Sequence, residues 1–384
     1  MKIAFYCPNK PLCHPLPSGD LIIARGIHDA LNRFGHDCRE VVQFRSRWFW
    51  QTAEGGVRAG QGFACAVRCC LRFKPDIWLT YHTYYKSPDV LGPWISRLLR
   101  MPYVLFQPMY GTRKRKRRET RVGFYLNRIA LKAADHTFTN NLDDLEALHR
   151  ALPAHRISYI APGIFPDHFQ RNERARSLIR ERYGIPPEVC LLLTAAMFRA
   201  DVKFLSISYL LRSLALLGRE GMEFRLLLAG DGPMEGEVRT LADSLLPGRT
   251  MFAGRVARSE MPAYFSAADI FVFPGIGESL GMVFLEAQAC GCPVVALDTA
   301  GVPQVVVAGK TGLLAADDGG QALAAAVKKL IEDPALREEM GAAGVHFIQQ
   351  ERNLYLNYRT LSQTLQRLCA DRRSSSGRGE LNIE

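Results

Sequence analysis

The stretch from Ala267 to Leu314 constrains the fold more than any other. It reads AADIFVFPGIGESLGMVFLEAQACGCPVVALDTAGVPQVVVAGKTGLL. Ile270 to Phe273 is a short apolar run rich in β-formers, the pattern of a strand buried on both faces. Pro274, Gly275 and Gly277 stop it. The residues from about Ser279 to Ala289 predict a helix, with Gly291 as its C-terminal stop. Pro293 to Leu297 reads as a second strand. Strand, glycine loop, helix and strand make one βαβ unit, which belongs in a parallel α/β sheet. Its loop ends where a helix begins, and free backbone N–H groups at such a place bind anions.

Two acids sit on this unit, Glu278 in the loop and Glu286 within the expected helix. Eight helical residues rise about 12 Å, comparable to the separation of sugar and ribose in a nucleotide-diphosphate sugar. One carboxylate could hold sugar hydroxyls and the other ribose hydroxyls. The diphosphate would lie between them, on N–H groups near Ser279, Leu280, Gly281 and Met282. By spacing alone the plainer account is the commoner one: an acid placed favourably at a helix N-terminus, and one surface glutamate.

The surrounding residues bear on that choice. Pro274, Glu278, Gly281, Glu286-Ala287, Gly291, Pro293-Val294-Val295, Gly301, Gly309 and Gly312 together resemble the donor-binding signature of the retaining glycosyltransferases of family 4, the group 1 glycosyltransferases. The resemblance implies an α/β chain of GT-B fold, two Rossmann-like domains with parallel sheets facing an interdomain cleft. It implies that Glu278 and Glu286 are the acid pair on the donor, that anomeric configuration is retained, and that no bound metal or other cofactor is needed. The nucleotide-diphosphate sugar is then a co-substrate.

A chain of 384 residues is too long for one ordinary core, so two domains are expected. With 48% hydrophobic residues it can bury them. The formal net charge of +11 favours acidic partners. Ten cysteines without a Cys-x-x-Cys pattern read as buried free thiols of a reducing cytoplasm. Lys2 precedes only a short apolar run that Pro8 and Lys10 end, so no secretory signal is read. No stretch is apolar for long enough to span a bilayer.

In chain order, Lys2 to Cys7 reads as a first strand. Ser18, Gly19 and Asp20 open a helix, with Asp20 as its cap, that ends at Gly35. The family resemblance places Gly19 against the donor diphosphate. Val41 to Phe44 reads as the next strand. It runs into Trp48, Phe49 and Trp50 between arginines, which suit either a membrane interface or rings packed onto the domain. Strands follow at Ile77–Thr80, with His82, Tyr84 and Tyr85 at its end, and at Tyr103–Phe106, ending in Gln107. Many family members place a histidine where this chain has Gln107; His82 could substitute from the neighbouring strand, although a lone histidine is more often structural. The run Arg113–Arg118, then Arg121, reads as a solvated loop, a nucleic-acid patch, or a clamp for an anionic acceptor or lipid surface. No nucleic-acid module accompanies it, so no nucleic acid is expected as a partner. Further strands are expected at His136–Thr139 and Ile157–Ile160.

The expected domains are 1–165 on the acceptor side, a charged linker 166–187, a donor domain 188–345, a C-terminal helix 346–370 crossing back, and a disordered tail 371–384. Leu191 to Ala195 opens the donor domain. Arg199 and Lys203 after it match the family's arginine and lysine on the donor phosphates, two cations that would stabilise the leaving group. Strands at Phe224–Leu228 and Phe252–Val256 follow, the second placing Arg255 and Val256 near the nucleotide base. The expectation is a retaining, metal-independent glycosyltransferase acting on a glycan or lipid-linked acceptor, cytoplasmic and docked reversibly on an anionic membrane. A nucleotide-sugar epimerase of the same fold and a non-catalytic membrane adaptor are the alternatives.

Overall fold

The computed structural model describes residues 1–15 and 19–377. The apolar runs become two parallel sheets, and each sheet builds its own unit. The first unit comprises Met1–Ala161 together with the chain from Tyr355 onward, and the second comprises Pro162–Leu354.

In the first unit the strands are β1 (Lys2–Tyr6), β2 (Asp37–Val42), β3 (Ile77–Tyr81), β4 (Tyr103–Phe106), β5 (His136–Thr139) and β6 (Ile157–Tyr159). Their order in the sheet is β2-β1-β3-β4-β5-β6. Every residue of β3, β4 and β5 is buried, as helices on both faces of a parallel sheet require. β2 lies at the edge and keeps polar Asp37, Arg39 and Glu40. This corrects the expected strand at Val41–Phe44: an edge strand needs no continuous apolar run.

The second unit holds β7 (Cys190–Ala195), β8 (Phe224–Ala229), β9 (Thr250–Gly254), β10 (Ile270–Val272), β11 (Val294–Leu297) and β12 (Gly312–Ala315), in the order β12-β11-β10-β7-β8-β9. β9 ends at Gly254, whose φ of +65° breaks the strand, two residues before the expected end at Val256. Two buried clusters fill the two faces of this sheet, one around Phe265, Phe271 and Phe284, the other around Leu210, Leu214 and Leu226.

Both sheets reverse direction once. The chain runs from β1 to β2, then returns to the other side of β1 as β3 and continues outward. It likewise runs β7, β8, β9 and returns beside β7 as β10. The crevices beyond the carboxyl ends of β1/β3 and of β7/β10 are topological switch points, where open α/β sheets bind ligands.

Several expected boundaries shift. The charged segment assigned to a linker contains a helix, Glu173–Arg182, of the second unit. Its Arg176 and Arg180 reach Asp269 at 2.6 and 3.1 Å and donate to the carbonyls ending the helix Met261–Ala267; those charges bind structure rather than water. The C-terminal segment is two helices, Pro334–Glu351 and Leu354–Gly377. The second continues through 371–377, where a disordered tail was expected. Arg373 holds it by an ion pair to Asp76 at 2.6 Å. Ser18 and the remainder of the expected tail, 378–384, lie outside the described residues. Asp20 sits in the first turn of the helix Gly19–Arg33, inside the helix and not as its cap. Among the described residues, no helix is long and apolar enough to cross a membrane.

Candidate functional site

The switch point between β7 and β10 gathers most of the residues singled out by the sequence. The helix Val202–Arg219 follows β7, and Asp201 caps it by accepting from the Lys203 N–H at 2.8 Å. The glycine loop after β10 packs against this helix start. The Ile276 N–H donates to Ser206 Oγ at 3.1 Å, and a Cβ on Gly277 would press on Val202. This packing brings Lys203 into contact with Glu278: Nζ meets Oε1. Lys203 also lies over the Phe273 ring, 5.2 Å from its centroid. Burial pushes the Lys203 ammonium down to about 8, helped by Arg199 and opposed by Asp201, so it is still charged at neutral pH. Arg199 pairs with Asp201 at 3.2 Å and stays about half exposed.

The helix after the loop is shorter than expected, Met282–Ala289. Gly281 takes φ +61°, so Ser279 and Leu280 belong to the loop. A left-handed residue there suits glycine, and no side chain caps the first turn. The Phe284 N–H of that turn donates to Gly281 O at 2.9 Å, while the Met282 and Val283 N–H groups precede the helical ladder. Only the span from Met282 to Glu286 is helical, a rise of about 6 Å, so the 12 Å estimate for the two acids does not hold. The loop is braced from behind, since the Gly301 N–H donates to Glu278 O at 2.9 Å. A Cβ on Gly301 would meet Ser279 O at 1.9 Å, so only glycine permits this approach.

Glu286 is buried, with 9% exposure, and is not a surface glutamate. Its Oε1 accepts from Arg258 Nε at 3.0 Å and Nη2 at 2.6 Å. Burial raises the Glu286 carboxyl above its ordinary value against the pull of Arg258. Sequence reasoning missed Arg258. It lies in the loop after β9, 28 positions before its partner, and one arginine in a polar loop carries no spacing signal. Arg255 is exposed and Val256 half-buried just beyond β9, at the carboxyl edge of the same sheet. Gly230 and Gly232 after β8 also press on the β7 loop; a Cβ on Gly230 would lie 1.9 Å from Ala196 O.

Gly19 lies in the first unit, exposed at the start of its helix, where a Cβ would meet nothing within 4 Å. The three adjacent rings of that unit pack onto it. Trp48 and Trp50 are 5.4 Å apart, Trp48 meets Tyr85 at 6.2 Å, and a Cβ on Gly123 would strike the Trp50 ring. Among the described residues, no cluster of histidine, cysteine and acids could hold a metal ion. All ten cysteines are free thiols.

Residues 194–347, which contain this site, match the family described as glycosyl transferases group 1. Among curated relatives, the GDP-mannose-dependent alpha-(1-6)-phosphatidylinositol monomannoside mannosyltransferase of Mycolicibacterium smegmatis is 32% identical over 234 residues, 58% of this chain and 58% of that one. The D-inositol 3-phosphate glycosyltransferase of Thermobifida fusca is 33% identical over 228 residues, 56% of this chain and 51% of its own. The chain thus spans little more than half the length of the curated relatives it matches. Among solved structures, sucrose-phosphate synthase from Thermosynechococcus elongatus superposes with a TM-score of 0.74 at 22% identity, covering 96% of this chain and 99% of that one. The lipopolysaccharide-biosynthesis glycosyltransferase WaaG does so with 0.66 at 18%, covering 94% and 99%. These likenesses show a GT-B fold, and residues 194–347, which surround the β7/β10 switch point, are similar to the group 1 glycosyl transferases.

Proposed function

We propose that the chain is a retaining, metal-independent glycosyltransferase. It moves a sugar from a nucleotide-diphosphate donor to a hydroxyl of a glycan or lipid-linked glycan. The observation that carries this reading is the meeting of Lys203 and Glu278 beside an uncapped helix start at a switch point, with Arg199 at its rim. The diphosphate takes the N–H groups near Leu280, Gly281 and Met282, with Lys203 and Arg199 as counter-charges. Glu278 holds sugar hydroxyls. Glu286, already oriented by Arg258, holds the ribose with its second oxygen, and Arg255 and Val256 border the base.

In the transfer, the bond from the anomeric carbon to the diphosphate oxygen breaks while the acceptor oxygen bonds to the same face. The acceptor proton passes to the departing phosphate oxygen. The protein then supplies position and fixed charge, not a covalent partner. Lys203 and Arg199 stabilise the charge that builds on the leaving diphosphate. The relatives' printed substrates, phosphatidylinositol monomannoside and D-inositol 3-phosphate, support a membrane or cyclitol acceptor. We place the enzyme in the cytoplasm, docking on an anionic membrane without spanning it.

Thermal melting against a panel of nucleotide sugars tests the donor. A ligand that binds only the folded state raises Tm, by about 2.7 kcal/mol of stability at a hundred times its Kd. The stabilising donor is then incubated with and without acceptor lipids. Transfer only with acceptor supports the reading. Conversion of the donor with no acceptor makes the protein an epimerase, and no Tm shift with any donor removes the reading.

A further inference from the structure

The first unit carries a cavity at the amino edge of its sheet, on the side away from the switch point. Trp94 and Arg97, on the helix Gly92–Leu98, form one wall. Ile129 and Ala133, near the end of the helix Arg118–Ala133, form the other. Tyr103, the buried first residue of β4, lies at its floor. The cavity holds about 290 Å³. Pockets that enclose a drug-sized ligand run from about 300 to 1,000 Å³, so this one suits a guest the size of a lipid headgroup.

The exposed residues around it show what the cavity opens onto. On the short helix Trp94, Arg97 and Leu98 stand three and four positions apart, on one face. Trp94 is 57% exposed and Leu98 60%. On the longer helix Val122, Tyr125 and Ile129 share a face in the same way, each about half exposed. The two helices pack together, and Trp94 and Ile129 meet across the cavity. Five large apolar side chains thus stand open on two neighbouring helices. Binding a free anion would leave them in water, whereas a lipid surface covers them.

We infer that this cavity holds the headgroup of one anionic phospholipid of a membrane. The lipid phosphate meets Arg97, its glycerol rests between Trp94 and Ile129, and its chains stay in the bilayer beside Leu98 and Tyr125. A guanidinium takes two phosphate oxygens at once, and tryptophan favours the headgroup level of a membrane. The lining carries Arg97 and Arg372 against Asp135, and Asp135 already accepts from the Tyr103 N–H at 2.8 Å. Arg100 and Lys132, both exposed, add charge beside the two helix ends. The site is an anchor and not a place of reaction: the four residues of β4 put about 13 Å between it and the carboxyl edge. The sixteen residues of the helix Arg118–Ala133 run along the sheet for about 24 Å. Its stripe can therefore lie along a bilayer while the carboxyl edge stays open. The inference rests on the membrane docking proposed above, and not on glycosyl transfer.

The test uses the full chain labelled with 5-fluorotryptophan. Trp94 is one of four tryptophans, and its ¹⁹F signal is assigned by difference from Trp94→Phe. The probes are dihexanoyl phosphatidylglycerol and dihexanoyl phosphatidylcholine, kept below micelle formation, and glycerol 3-phosphate. The Trp94 signal should move with phosphatidylglycerol, which should bind at least about tenfold more tightly than the other two. Arg97→Gln should weaken it about tenfold, the loss of a charge-assisted hydrogen bond. Ala133→Phe, at an exposed helix end, fills the cavity and should abolish the shift with Tm kept. Arg117→Gln lies outside the cavity and should leave the affinity unchanged. Equal affinity for the two lipids, equal affinity for phosphatidylglycerol and glycerol 3-phosphate, or an affinity that neither Arg97→Gln nor Ala133→Phe changes, overturns the inference. Flotation with phosphatidylglycerol vesicles separates it from the docking it rests on. Flotation with a Trp94 signal that no soluble lipid moves removes the cavity and keeps the docking. A moved signal without flotation supports the cavity and removes the docking.

Discussion

The two units share a topology and differ in how they fill it. At the β7/β10 switch point charge is dense and already paired: Lys203 with Glu278, Arg258 with Glu286, Arg199 with Asp201. At the β1/β3 switch point the central group is the buried His82 imidazole, whose Nδ1 has no hydrogen-bond partner and whose basicity burial lowers. A ligand of the second unit must draw Lys203 from Glu278, which a multiply charged diphosphate with its sugar can do, while Arg258 keeps its hold on Glu286. Topology places both crevices at the carboxyl edge of a sheet; the side chains decide what each can hold.

The largest effect expected from breaking this contrast is at Glu286. Glu286→Ala removes two charge-assisted bonds to a ribose, each worth about 1.5–3 kcal/mol. Nucleotide affinity should fall by at least about a hundredfold, while Arg258, with a side chain 40% exposed, turns to water and the fold persists. Calorimetric titration with nucleotide and a thermal melt decide it, and unchanged affinity removes Glu286 from the donor site. Glu278→Gln should act differently, because its proposed contact is the sugar. Turnover should drop on the order of a hundredfold through lost positioning, with affinity for the bare nucleoside diphosphate nearly kept. Equal losses for the diphosphate and its sugar conjugate would place Glu278 elsewhere.

Lys203 gives the next effect, and its sign can be worked out. Its pKa in the free protein is about 8, and an anionic diphosphate raises it in the complex. Binding is therefore at full strength below about pH 8 and weakens as pH rises above it, by at most about tenfold per pH unit. Lys203→Arg should flatten that profile, since an arginine stays charged throughout. An affinity for the diphosphate that does not change with pH between 7 and 9 would remove Lys203 from the diphosphate site.

Much of this contrast was legible in the sequence, unevenly. The β10–β11 unit could be read because buried parallel strands leave continuous apolar runs, and because Gly281, Gly291 and Gly301 mark places a side chain cannot enter. Tyr103–Phe106 came out to the residue for the same reason, and His136–Thr139 did so through its β-branched and aromatic residues. The edge strand Asp37–Val42 did not, because its polar residues face water. Arg258, the buried state of Glu286 and the brace of Arg176 and Arg180 on Asp269 are contacts between distant positions, and local pattern holds no record of them. The left-handed turn at His82 is also set by tertiary bonds. Trp48, Phe49 and Trp50 read equally well as membrane anchors or packed rings, and the structure packs them against Tyr85 and Gly123.

The smallest predicted effect sharpens the comparison at the level of whole surfaces. Residues 112–135 of the first unit carry nine cations against two acids, so seven of the net eleven positive charges lie in that one segment. The helix Arg118–Ala133 within it leaves Val122, Tyr125 and Ile129 exposed beside Arg118, Arg121 and Lys132. An apolar stripe rimmed by cations suits the surface of an anionic bilayer. Each cation there contributes roughly 1 kcal/mol, so neutralising one, as in Arg117→Ala, should weaken binding to acidic vesicles only about fivefold. High salt should remove the charge contribution, because it shortens the Debye length, and leave a smaller apolar one. Tyr125→Ser with Ile129→Ser should abolish that remainder, whereas Trp50→Ala should lower Tm instead, since its ring is packed against the fold. Flotation with phosphatidylglycerol and phosphatidylcholine vesicles, at low and high salt, separates these outcomes. Equal binding to both lipids, or none to the acidic one at low salt, would return the basic segment to a solvated loop and leave the two units alike in their dealings with membranes.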